Sequence, residues 1–145
     1  MKRYLLSYLG AYAAAVAVSL VMLLIALMNW LFTDSPAWFE ALTVVLIGLT
    51  VLGLGELFGS RPKAKNVEKP WCGFLILLPV MAVLGLVPAM TESILYAVSL
   101  PGMMLGGMVH SMLELRYNWD YWCYGIGNVM IPCLFHLGWH WGRTA

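Results

Sequence analysis

The run YLGAYAAAVAVSLVMLLIALMNWL, residues 8–31, decides the fold class, because it contains no charged residue. A helix rises about 1.5 Å per residue, so roughly 20 apolar residues cross a bilayer core of about 30 Å. The run is a spanning helix by length and by chemistry. Three further stretches, 38–58, 71–90 and 93–113, meet the same condition. A fifth, 121–141, has the length but carries Asn128, His136 and His140. Between them lie Thr33-Asp34-Ser35-Pro36, residues 59–70, Thr91-Glu92 and residues 114–120, short connections rich in turn formers and charge. They leave no room for a separate soluble domain. Residues 1–145 therefore read as a single integral membrane domain, an all-α polytopic bundle of transmembrane helices.

Composition agrees. Hydrophobic residues make up 62% of the chain and charged residues 10%, with mean hydropathy +0.84. A soluble globule carries about 25% charged residues, because it clothes its surface in them. Eight Lys and Arg against seven Asp and Glu give a net charge of +1. This lacks the concentrated basic face that nucleic acid requires. Three cysteines without paired spacing form no disulfide framework. The apolar run that follows Met1-Lys2-Arg3 continues to Phe32, and Ala11-Tyr12-Ala13 falls inside it, so the segment reads as a retained span.

Positive charge sets the orientation. Five spans with the N-terminus inside and the C-terminus outside put Lys2, Arg3, Arg61, Lys63, Lys65, Lys69 and Arg116 on the cytoplasmic face, and Arg143 alone outside. All seven tryptophans fall at span ends, where indole rings prefer the headgroup layer. A re-entrant segment over 93–113 gives the same score with four complete spans, since Arg116 then moves out and Arg143 in. Pro101-Gly102 and Gly106-Gly107 permit such a break. Five spans is the expectation taken forward, in a bacterial-type inner membrane.

Candidate chemistry is sparse. His136 and His140 share a helix face at a familiar metal-ligand spacing, but expected depth separates them from His110, and their bland reading is interfacial aromatics beside Trp139 and Trp141. Met104, Met108 and Met112 form a ladder of soft thioethers suited to Cu(I), and equally a flexible packing stripe. Gly102 and Gly106 allow close helix approach, as do the small faces of Ala11, Ala15 and Ser19 and of Gly48, Gly53 and Gly55. Glu40 and Glu56 lie near span ends. Asn128 is the deepest strongly polar side chain, placed to hydrogen-bond another helix. No nucleophile elbow, P-loop or His-Glu-x-x-His occurs.

No catalytic residue and no cofactor follows from these residues. The leading expectation is a non-enzymatic membrane protein acting by contact with another membrane component, as an accessory subunit or an immunity-type protein. Its partners are the lipid bilayer and another membrane protein or a second copy. The alternatives are a small transporter or channel subunit for a soft metal such as copper, built on the methionine ladder, and a haem- or metal-bearing enzyme subunit using His136 or His140.

Overall fold

A computed structural model describes residues 1–31, 33–91, 95–113 and 120–145, with the side chains of 87–91, 95–97, 113, 120 and 121 excepted. The glutamate at position 92, Arg116 and Trp119 lie outside the described residues. The described chain is all-helical: α1 Lys2–Asn29, α2 Ala37–Gly59, α3 Pro62–Lys65, α4 Pro70–Thr91, α5 Leu95–Leu113 and α6 Asp120–Thr144. Proline opens both α3 and α4, at the first turn where its missing N–H costs nothing. Two helices, α1 and α2, are long and apolar enough to cross a membrane, and the apolar stretch Pro70–Leu86 of α4 is shorter.

The helices bury an apolar stripe and also leave large apolar side chains on the surface. α1 buries Tyr4, Tyr8, Ala11, Tyr12, Ala15, Ser19 and Met22, and turns Leu6, Leu9, Leu20, Leu24 and Leu27 outward. α2 buries Phe39, Thr43, Ile47, Val51, Gly55 and Gly59, one residue in every four. Such a stripe is the ridge along which two helices mesh. Its partner is α6, which also packs extensively against α5 and α4 and so stands at the centre of the bundle.

Glycine makes that position possible. On α2 and α6, Gly55-x-x-x-Gly59 meets Gly138-x-x-x-Gly142. A Cβ added to Gly55 would lie 2.5 Å from the Phe135 carbonyl, and one on Gly142 2.8 Å from the Ser60 nitrogen. On the other side, a Cβ on Gly127 would overlap the Gly102 carbonyl, and one on Gly106 the Cys123 carbonyl. Backbones this close gain dispersion contacts along their whole crossing.

These contacts fix the directions of the helices. Gly55 and Gly59 advance alongside Phe135 and Trp139, so α2 and α6 are parallel. Tyr4 lies against His136 and Tyr12 against Asn128, so α1 is antiparallel to α6. Phe74 stacks on His136, while Gly85 reaches Asn128 and Tyr124, so α4 is antiparallel to α6. Gly102 meets Asn128 and Gly106 meets Cys123, so α5 is antiparallel to α6 as well. α4 and α5 thus run the same way.

That order differs from the strict alternation that five spans with termini on opposite faces would show. Alternation requires α6 to oppose α2 and α5 to oppose α4, and neither holds. Arg143 Nη2 instead donates to the Lys65 carbonyl at 3.3 Å, which places the end of α6 beside the 61–69 segment and the start of α1. Lys2, Arg3, Arg61, Lys63, Lys65, Lys69 and Arg143 share this basic end. Trp30, Trp38 and Phe39 form an aromatic cluster at the opposite end, with centroids 4.8–6.4 Å apart.

Glycine substitutions separate this packing from generic helix content. Gly127→Ala should lower stability in detergent by about 1–3 kcal/mol, the usual cost of overpacking. Gly53→Ala, with nothing within 4 Å of its Cβ, should leave it unchanged within about 0.5 kcal/mol. Denaturant unfolding followed by circular dichroism measures both, and equal losses would refute the close crossing.

Candidate functional site

The polar groups of the bundle gather on α1 and α6. Tyr4, Tyr8 and Tyr12 repeat every four residues, so one face of α1 presents three stacked phenols, all buried. Tyr8 stacks on Tyr12 at 5.9 Å, and its ring also meets the edge of Phe135 at 5.4 Å. Each phenol ends differently. Tyr4 Oη lies 2.9 Å from His136 Nδ1, and Tyr8 Oη has no hydrogen-bond partner among the described residues. Tyr12 Oη donates to the Val98 carbonyl at 2.6 Å and lies 3.4 Å from Asn128 Oδ1. A phenol has one proton, so the shorter contact takes it and Asn128 receives the weaker share.

The Val98 carbonyl lies in the turn just before Pro101. A proline inside a helix removes one backbone N–H and pushes its ring against the preceding turn. Pro101 is fully buried, and the Tyr12 hydroxyl from α1 reaches the turn that precedes it. Asn128 is also fully buried. Its Nδ2 donates to the Tyr124 carbonyl within α6 at 3.1 Å, while Gly85 and Gly102 lie against the amide from α4 and α5. Tyr12, Val98 and Asn128 thereby tie three helices at mid-bundle.

His136 and His140 have different surroundings. His136 is held by Tyr4 and sandwiched on Phe74, with ring centroids 4.5 Å apart and planes 20° apart. His140 is exposed. Both border a cavity of about 480 Å³ at the basic end, with Trp71 and Arg143. Trp139 is not interfacial as expected. It is 1% exposed, packed on Tyr4 at 5.1 Å and over Gly59, and its Nε1 has no hydrogen-bond partner among the described residues. Among the described residues, no three His, Cys, Asp or Glu side chains come together as a metal-binding group.

The methionine ladder faces a different space. A crevice of about 540 Å³ opens between α1, α2 and α5 at the end opposite the basic one. Met104, Met108 and Met112 line it from α5, and Met22 joins them from α1. Leu23, Phe39 and Val44 add apolar wall. Glu40, its carboxylate accepting from Ser35 Oγ at 3.0 Å, stands at the polar margin. This half of α5 therefore lies at the far end from His136, with His110 on it.

Of the small faces read from sequence, Ala11, Ala15 and Ser19 are buried and Gly55 lies at a backbone crossing, whereas Gly53 faces open space. Gly102 and Gly106 both lie against α6. Sequence reasoning passed over the tyrosine stripe, Gly59, Gly138 and Gly142. The i, i+4, i+8 spacing of the tyrosines and the two further Gly-x-x-x-Gly pairs were the signals available for them.

No family model matches the chain, and neither a curated protein nor a solved structure shows significant similarity to it.

Tyr12→Phe removes the donor to Val98 and should cost about 0.6–1.7 kcal/mol, the range of interhelical hydrogen bonds in lipid. A double-mutant cycle with Asn128→Leu in detergent unfolding should give a coupling of about 0.5 kcal/mol or more between the two side chains. Strict additivity would mean that the two do not act as one unit.

Proposed function

We propose that the chain is a multi-pass inner-membrane protein, non-enzymatic, that acts by docking another membrane protein in the methionine-walled crevice. The membrane reading rests on the outward leucines of α1 and α2 and on the gathering of seven of the eight positive charges at one end. With that end cytoplasmic, as positive charge prefers, α1, α2, α4 and α6 are four spans. α5 is then the interrupted segment, running in the same sense as α4, and both termini face inward.

The crevice carries the contact reading. The bundle centre is filled by Ile131, Phe135 and Trp139 and by glycine-mediated backbone contact, which leaves the partly open crevice as the place where apolar surface can be covered. Flexible thioether side chains adapt to the shape of a docked side chain. An accessory-subunit role and an immunity-type role both use such a surface.

One observation supports the soft-metal reading as a second choice: Met22, Met104, Met108 and Met112 converge on one space from two helices. Its volume, about 540 Å³, is large for an ion bonded at a few ångströms, and an apolar occupant suits it better.

A photo-crosslinking residue at Met108 in cell membranes should trap a discrete partner, while one at Leu75, outward on α4, should not. Gly107→Trp, with open space at its Cβ, should reduce the Met108 adduct at least about tenfold by crowding the crevice, a loss of about 1.4 kcal/mol in binding. Equal adducts from both positions would refute the docking site. A Cu(I)-dependent shift abolished by Met104→Leu with Met108→Leu would favour the metal reading.

A further inference from the structure

We infer that the concavity between the start of α1 and the 63–69 segment seats the phosphate of an anionic phospholipid from the adjoining leaflet, an inference that rests on the membrane reading above. The concavity measures about 470 Å³ and is bordered by Lys2, Arg3, Lys63, Asn66, Glu68 and Lys69. Four cations thus surround one space with a single carboxylate. No salt bridge neutralises any of the four among the described residues.

The segment that carries Lys63 and Lys69 is anchored. Ala64 and Val67 are 4% and 5% exposed and belong to the apolar core, and the Val67 N–H donates to the Ala64 carbonyl at 3.0 Å. With these two residues pinned, Lys63 and Lys69 are held near Lys2 and Arg3 despite their mutual repulsion. Such an arrangement is favourable when an anion lies between them, and each cation near a membrane surface contributes attraction to anionic lipid. The Asn66 amide adds a neutral donor suited to a phosphate oxygen.

The surroundings choose a lipid over free phosphate. Leu6 and Leu9 stand exposed on α1 one and two turns beyond Arg3. Trp71 is exposed at the start of α4, immediately after Lys69. A diacyl lipid with its phosphate in the concavity can lay a chain along these residues, which a free anion leaves uncovered.

The test uses the full-length chain in nanodiscs of mixed phosphatidylglycerol and phosphatidylcholine with matched acyl chains, released for native mass spectrometry. The wild-type protein should retain phosphatidylglycerol at least about tenfold over phosphatidylcholine. K2Q/R3Q/K63Q/K69Q should lose about tenfold or more of that preference, while R61Q/K65Q/R143Q, altered on the same end outside the concavity, should keep it within about twofold. Equal losses in the two variants would assign the preference to diffuse surface charge and overturn the site. Displacement of the lipid by inorganic phosphate at matched concentration would make a free anion the occupant and overturn the lipid assignment. Absence of any preference would overturn both. Failure of the wild-type protein to enter nanodiscs at all would instead count against the membrane reading, and is scored separately by co-purification with the disc.

Discussion

Backbone-to-backbone contact along α6 is the constraint on which the rest of the bundle depends. Gly127 lies on Gly102 and Gly106, and Gly138 and Gly142 lie on the last turns of α2. A helix flanked this closely on several sides has only one direction in which its glycines match those of its neighbours. From that match follow the parallel pairing of α2 with α6 and the placing of Arg143 beside Lys65. The tyrosine stripe of α1 then closes the remaining side, with Tyr4 at one end of the shared seam and Tyr12 at Asn128. The interior mixes aromatic and small residues with aliphatic ones such as Ile47, Val51 and Ile131, while Leu6, Leu24 and Leu27 of α1 face out.

The sequence made the helical class legible because uncharged runs of twenty or more residues have few other uses. It also pointed to Asn128, since a lone amide deep in an apolar run needs a partner. It left direction open. Counting positive charges scores five alternating spans and four spans with an interrupted segment equally, because Arg116 and Arg143 exchange sides between them. The contacts that break the tie join separate helices, such as Gly59 with Trp139 and Gly102 with Asn128, and no local period reports them. Trp139 shows a related limit. Its place near the end of an apolar run suggested an interfacial ring, yet the ring is buried against Tyr4 and Phe135.

Site and fold meet in α5. One face of α5 serves packing, with Gly102 and Gly106 against α6 and the Val98 carbonyl accepting from Tyr12. Its other face walls the crevice with Met104, Met108 and Met112. One helix therefore joins the rigid centre to the adaptable surface where a partner is proposed to dock. The basic end, held in shape by Ala64 and Val67, is the proposed place of contact with the lipid itself.

The central claim is that α6 runs parallel to α2, and a pair of spin-label distances tests it most directly. Labels at Lys65 and Arg143 in the reconstituted protein should lie within about 20 Å of each other, label linkers included. Labels at Asp34 and Arg143 should lie roughly 35–45 Å apart, the length of a 25- to 28-residue helix. The reverse order, with Arg143 near Asp34 and far from Lys65, would contradict the account.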